Sequence, residues 1–74
     1  MISKKTQIIL SQSLNFDEKN INEKLNINNT ADWDSLAHLR LVCAIEEEIG
    51  RSLSAMEVLN LESAIDVENL ISDD

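Results

Sequence analysis

The residues best suited to chemistry lie together in the stretch Asp34-Ser35-Leu36-Ala37-His38. Ser35 carries a hydroxyl that could be modified or act as a nucleophile, and Asp34 and His38 are the ionisable side chains beside it. A helix that begins here would place partial positive charge and free N–H groups next to Ser35, so a phosphate attached to that hydroxyl would be stabilised. Position alone favours the simpler interpretation that this serine caps the helix or follows its cap, because serines are common at helix starts.

A serine hydrolase would require His38 to activate Ser35 from three residues further along the same helix. Such a nucleophile needs a base within reach, an acid that orients the base and an oxyanion hole. A chain of 74 residues with one histidine supplies little of this. We therefore predict that the protein is not an enzyme and that His38 is a surface or boundary side chain near Ser35.

Cysteine and metal chemistry are not indicated. Cys43 is the single cysteine, so it cannot form an internal disulfide bond, and we expect it to pack as a small apolar or semi-exposed residue. This cysteine usage predicts a reducing, cytoplasmic location. Asp32 and Asp34 resemble the start of a calcium loop, but the glycine and the terminal glutamate that such a loop needs are missing.

The composition predicts one small domain over residues 1–74. The chain is 43% apolar and contains no proline and one glycine, and its apolar runs are too short to span a bilayer. A net charge of −8 opposes binding to nucleic acid or an anionic membrane and favours basic partners. Residues 1–35 hold four lysines and five acidic residues, whereas residues 36–74 hold two arginines and nine acidic residues. The negative charge therefore belongs to the second half.

The elements that must position these residues are helices. The spacing of apolar residues predicts an all-α fold, a small antiparallel four-helix bundle with three main helices, a short third helix and a long first loop. The predicted helices cover about residues 3–14, 36–49, 55–60 and 64–72. The predicted helix caps are Ser3, Asp34, Ser54 and Ser63 at the starts, and Asn15 and Gly50 at the ends.

Apolar spacing also predicts which side chains face the core. The residues expected to do so are Ile9, Leu10, Ser13 and Leu14 in the first helix, Leu39, Val42, Ile45 and Ile49 in the second, and Val67, Leu70 and Ile71 in the last. The loop over residues 15–34 is rich in asparagine, which favours turns. Ile21 and Leu25 suggest a hidden helical turn in this loop, and Ile27 and Trp33 are expected to attach it to the core.

The run WDSLAHLRLVCAIEEEIG, in a short acidic chain with this order of helices, resembles the acyl carrier protein family. The resemblance covers nearly the whole chain and implies a single acyl-carrier domain. It implies that Ser35 receives 4′-phosphopantetheine from coenzyme A through a phosphopantetheinyl transferase. By the same resemblance, Asp34 helps to orient the transfer in addition to capping the helix, and Leu36 contacts the cofactor or the partner enzymes.

The resemblance also implies how such a carrier works. The thiol of the cofactor holds an acyl group as a thioester, which an acyl-activating ligase or an acyltransferase loads and downstream enzymes of fatty acid or secondary metabolite synthesis process. Members of the family shelter the acyl chain between the second and third helices. We expect Ile45, Val58 and Leu61 to line that space, with Met56 at its edge and in contact with partners, although ordinary core packing fits the same residues.

Glu46, Glu47 and Glu48 lie at the end of the second helix, where the helix dipole disfavours negative charge. They are therefore interpreted as a docking surface for Lys/Arg patches on partners. Carriers of primary fatty acid synthesis typically have acidic residues soon after the Asp-Ser-Leu motif, where this chain has Ala37 and Arg40. This departure favours a specialised carrier, whose partner presents an acidic or neutral group to Arg40.

Two other functions remain open at this stage. One is a carrier of aminoacyl or peptidyl groups, which differs in the acid that its ligase loads. The other is an unmodified acidic helical adaptor that binds a basic partner through the same face. In each case we expect a monomer that binds neither nucleic acid nor membrane.

Overall fold

The protein folds as an all-α four-helix bundle in a computed structural model that describes residues 2–72. The α-helices in that range are α1 (Lys4–Leu14), α2 (Ser35–Ile49), α3 (Ala55–Leu59) and α4 (Ala64–Ser72). A turn of 3₁₀ helix, Glu18–Asn20, lies in the loop between α1 and α2. The predicted number of helices is confirmed, and each predicted boundary agrees within one residue. No helix of the described part is both long and apolar enough to cross a bilayer.

Capping hydrogen bonds explain where the helices begin and end. Each helix is preceded by a side chain that accepts a hydrogen bond from the backbone N–H three residues later, in the pairs Ser3–Thr6, Asp34–Ala37, Ser54–Glu57 and Ser63–Asp66. Asn15 and Gly50 follow α1 and α2 in the left-handed conformation, with φ of 59° and 74°. Glycine adopts this conformation without steric cost, which makes it a common helix terminator. The predicted caps are confirmed.

The core lies between α1, α2 and α4. The four residues predicted for α1 are all buried, and so is Val67 in α4. Leu70 and Ile71 are partly buried and pack against the same cluster. The large aliphatic side chains buried almost completely are Leu10, Ile21, Leu41, Ile45, Leu61 and Val67. This aliphatic cluster stabilises the three longer helices.

The core face of α2 differs from the prediction. Leu39 is 62% exposed, whereas the buried residues of α2 are Ala37, Leu41 and Ile45, each four residues after the last. Because successive helical residues are rotated by about 100°, Leu39 points well away from Leu41. The predicted stripe is therefore wrong at Leu39. Its error arises because α2 carries apolar side chains around most of its circumference, so their spacing does not identify one face.

Asparagine side chains shape the loop between α1 and α2. Asn26 Oδ1 accepts hydrogen bonds from the backbone N–H groups of Asn28 and Asn29, and Asn29 Oδ1 accepts one from Asn26. These bonds close turns, as the composition predicted. The helical turn expected around Ile21 to Leu25 lies earlier, at Glu18–Asn20, where the Asp17 carboxylate accepts from the N–H of Lys19.

Two backbone hydrogen bonds join the same loop to the connection between α3 and α4 and to the first residue of α4. The N–H of Ile27 donates to Glu62 O at 2.8 Å, and the N–H of Ala64 donates to Leu25 O at 2.9 Å. Trp33, near the end of the loop, is 4% exposed, and Ile27 is partly buried against the core. The loop is thereby held against the bundle immediately before α2 begins.

Candidate functional site

Ser35 is the first residue of α2, and its side chain is exposed. Within residues 2–72 its hydroxyl has no hydrogen-bond partner. Six of the other seven serines use their hydroxyls, as helix caps or as donors to a backbone carbonyl or a carboxylate; these are Ser3, Ser11, Ser13, Ser54, Ser63 and Ser72. Ser52, in the connection before α3, is the seventh. The structure therefore gives Ser35 no capping role and leaves its hydroxyl accessible.

Asp34 carries the capping role instead. Its Oδ1 accepts a hydrogen bond from the N–H of Ala37 at 2.9 Å, and its backbone carbonyl accepts one from the N–H of His38 at 2.9 Å. In the described chain this leaves the N–H groups of Ser35 and Leu36 without partners at the positive end of the helix dipole. An accessible hydroxyl beside two free donors fits the attachment of a phosphodiester.

An open cavity of about 580 Å³ lies next to Ser35, between α2 and α3. The side chains around it are mainly apolar, with Asp34, His38 and Glu62 as the ionisable ones. The lining residues are Ile27, Trp33, Asp34, Ser35, His38, Leu39, Val58, Leu59, Leu61 and Glu62. Leu39, which the sequence assigned to the core, is thus one wall of the space beside the serine.

The structure brings together two of the three residues expected to surround an acyl chain. Val58 and Leu61 line the cavity beside Ser35. Ile45 does not line it and lies in the core between the helices, fully buried. Met56 is exposed and lines a different, smaller cavity between α3 and α4. The spacing of apolar residues did not distinguish these environments.

His38 is engaged on both sides of its ring. The Nε1–H of Trp33 donates to His38 Nδ1 at 3.0 Å, and His38 Nε2 lies 3.0 Å from the carbonyl oxygen of Val58. The indole can only donate and the carbonyl can only accept, so the ring carries its proton on Nε2. In this arrangement neither ring nitrogen is free to take a proton from Ser35. Sequence reasoning placed His38 near Ser35 but missed both partners.

The outward face of α2 carries a line of exposed residues, Leu36, Arg40, Cys43 and Glu47. Their spacing of four, three and four residues places them on one side of the helix. Within residues 2–72 neither Arg40 nor Glu47 forms an ion pair or a hydrogen bond through its side chain. This face presents an apolar side chain near Ser35, a positive charge in the middle and a negative charge at the far end.

The three glutamates at the end of α2 point in different directions. Glu46 Oε2 accepts a hydrogen bond from the backbone N–H of Leu53 at 2.8 Å, and Glu48 pairs with Lys5 of α1 at 2.9 Å. Glu47 alone belongs to the outward line. Glu46 and Glu48 thus each have a partner within the chain, whereas the side chain of Glu47 has none within residues 2–72. Glu47 is twelve residues from Ser35, or roughly 18 Å along the helix.

Neither a metal-binding cluster within residues 2–72 nor a match to a known protein accompanies this site. Across residues 2–72, no three side chains of His, Cys, Asp or Glu come together in a way that could hold a metal ion. No model of a known protein family matches the sequence. A search of curated proteins likewise finds no match.

Proposed function

We propose that this protein is an acyl carrier protein whose 4′-phosphopantetheine arm is attached to Ser35. The observation that carries the proposal is the state of the Ser35 hydroxyl, which is exposed and unbonded at the start of α2 while Asp34 caps the helix. The free N–H groups of Ser35 and Leu36 support a phosphodiester at this position. When bound, the cofactor supplies a thiol that holds the carried group as a thioester.

The cavity supports an acyl cargo. It opens beside Ser35, and apolar side chains including Leu39, Val58 and Leu59 line it. An aliphatic chain of modest length would remove this surface from water, which is favourable by about 25 cal/mol per Å² of apolar area. An aminoacyl group carries a charged or polar amine, which the apolar part of this cavity would not satisfy. An acyl cargo is therefore preferred to an aminoacyl or peptidyl one.

The partners follow from the same proposal. A phosphopantetheinyl transferase modifies Ser35, an acyl-activating ligase or acyltransferase loads the arm, and further enzymes process the cargo. The outward line of α2 is the proposed contact face, with Leu36 beside the arm, and Arg40 and Glu47 setting the charge that a partner must complement. Arg40 favours a partner with an acidic or neutral group there, which fits a specialised pathway.

The protein acts in this proposal as a monomeric cytoplasmic carrier and performs no catalysis itself. The hydrogen bonds of His38 support this, because they leave neither of its ring nitrogens free to accept a proton from Ser35. Glu46 and Glu48 can still add to the negative field that attracts a basic partner, although each also has a partner within the chain. The main contribution from this end of α2 is assigned to Glu47.

The experiment that tests the proposal is intact mass measurement after incubation with coenzyme A and a broad-specificity phosphopantetheinyl transferase. We expect the mass to increase by one phosphopantetheinyl group, and we expect Ser35→Ala to abolish the increase. Ser52→Ala is the matched control, because Ser52 is the other serine whose hydroxyl has no partner within residues 2–72. Either an unchanged mass or labelling that survives Ser35→Ala would overturn the proposal, and an unchanged mass would favour the unmodified adaptor instead.

A further inference from the structure

Three elements meet at His38. Its Nδ1 accepts from the indole of Trp33, at the end of the long loop, and its Nε2–H donates to the carbonyl of Val58 in α3. The rings of Trp33 and His38 also stack, with centroids 6.3 Å apart and an angle of 29° between the planes. One side chain of α2 therefore joins the loop to α3 across the wall of the cavity beside Ser35.

Helix α3, which the hydrogen bond from His38 joins to α2, has few other contacts that hold it in place. Helix α3 has five residues, and none of them is buried. Its capping box and the ion pair between Arg51 and Glu57 lie within α3 and the segment just before it. Across residues 2–72, the bond from His38 to Val58 is the hydrogen bond that joins α2 directly to α3. Elements with few buried contacts open locally at low free energy.

The residues that form the two hydrogen bonds of His38 also line the cavity beside Ser35. Trp33, His38 and Val58 all line the cavity, together with Leu59 of α3 and Leu61 just after it. Moving α3 away from α2 would widen this space, and such a movement must break the bond between His38 and Val58. The same movement would leave the buried core between α1, α2 and α4 in place.

We propose that His38 is a latch, a positioning residue that holds α3 against α2 and sets how often the cavity beside Ser35 opens. The latch belongs to the unmodified chain. That the latch controls the entry of a carried acyl group into the cavity, and its release, rests on the proposed function. Trp33 completes the latch because its indole N–H orients the imidazole so that Nε2–H faces α3.

Amide hydrogen exchange in the unmodified full-length protein tests the latch directly. The reporters are the N–H groups of Val58, Asn60 and Leu61, which are hydrogen-bonded to carbonyls within and just before α3. We expect His38→Phe, which keeps an aromatic ring but removes both hydrogen bonds, to increase their exchange by about fivefold to tenfold. The core amides of α2 should change by less than about twofold, because their protection comes from the rest of the bundle.

Two further variants and a control make the test specific. Cys43→Ser, at an exposed position of the same helix, should leave exchange in α3 unchanged. Trp33→Phe removes only the donor to Nδ1 and should have a smaller effect than His38→Phe. His38→Gln keeps both a donor and an acceptor and should restore part of the protection. If His38→Phe proves unstable, the comparison of His38→Gln and Trp33→Phe with Cys43→Ser decides the question.

The latch is overturned if α3 exchanges at the same rate in the His38 variants and in Cys43→Ser, or if all amides accelerate equally. Because the measurement uses the unmodified protein, its result is independent of the carrier function. Faster exchange confined to α3, with no mass increase at Ser35, would support the latch and contradict the carrier. A mass increase at Ser35 with unchanged exchange would support the carrier and contradict the latch.

Discussion

The bundle of α1, α2 and α4 and the short helix α3 are stabilised by different means. The bundle buries aliphatic side chains completely, as at Leu10, Leu41 and Val67. Helix α3 buries none of its residues and depends on a capping box, an ion pair and the hydrogen bond from His38. Burial is shared among many contacts, whereas each of these polar interactions can be broken alone. The region beside Ser35 is therefore suited to local movement on a rigid support.

The largest effect should come from the core. Leu41→Ala removes a fully buried side chain and is expected to lower the free energy of unfolding by about 3 kcal/mol, through lost burial and the cavity left behind. Leu59→Ala is the matched change in α3, where the side chain is 69% exposed, and its effect should stay within about 0.5 kcal/mol. Urea denaturation of both variants measures the difference. Similar losses would contradict the division into two regions.

A smaller effect is expected at the junction of the loop and α2. Asp34→Ala removes the cap that binds the N–H of Ala37 and should lower the free energy of unfolding by about 1 kcal/mol. Asp34→Asn keeps a capping oxygen and should recover most of the loss. Ser35→Ala, one residue later, should leave stability nearly unchanged, since its hydroxyl has no partner within the described residues. A large loss in Ser35→Ala would mean that the serine is structural after all.

Acidification should lower the stability of the two regions through different carboxylates. In the bundle, the carboxylate concerned is that of Glu68. The backbone N–H of Ser3 and the hydroxyls of Thr6 and Ser72 donate to this carboxylate and lower its pKa from 4.5 to about 2. Since the folded pKa lies below the unfolded one, the carboxylate stabilises the fold above about pH 4.5, and this contribution is lost between there and about pH 2. Because the group is partly solvated, the expected loss is modest.

Denaturation at pH 6 and pH 3 measures this contribution. Glu68→Gln should lower stability at pH 6 and should lose less stability on acidification than the unchanged protein does. If acidification affects both proteins equally, the hydrogen bonds of Ser3 and Thr6 to Glu68 do not contribute to global stability.

The smallest effect should be confined to α3. Arg51 and the backbone N–H of Ser54 donate to Glu57 and lower its pKa to about 2, so the sign of its pH dependence matches that of Glu68. Because α3 is held separately, Glu57→Gln should increase amide exchange in α3 at pH 6 while leaving the midpoint of urea unfolding nearly unchanged. A shift of that midpoint as large as that of Glu68→Gln would show that α3 unfolds together with the bundle.

The sequence predicted the parts of the fold that local interactions control. Asp34 and Ser54 each accept a hydrogen bond from the backbone N–H three residues later. Gly50 ends α2 through its own left-handed backbone conformation. Each of these roles can therefore be predicted from a few neighbouring residues. The position of Ser35 at the start of α2 is visible in the same few residues, whereas the sequence left open whether its hydroxyl caps the helix. Contacts between distant parts of the chain were not predictable in this way. Examples are the bond of Leu25 to the first residue of α4 and the bond of Ile27 to the connection before it.

Tertiary packing also decided which surroundings each of several consecutive residues has. Glu46, Glu47 and Glu48 are consecutive in the sequence, but each residue turns the helix by about 100°. One carboxylate thus faces the segment before α3, one faces solvent and one faces α1. For the same reason only Glu47 of these three glutamates lies on the outward line of α2.

By itself, the sequence determined four helices, their caps, an aliphatic core and a serine at the start of the second helix, because these depend on residue type and short spacing. Only the tertiary structure decided which face of α2 enters the core, which side chains line the cavity and what His38 binds. Those properties depend on how α2 is rotated against its neighbours. Because α2 carries apolar side chains around most of its circumference, their spacing leaves that rotation open until the whole bundle packs around the helix.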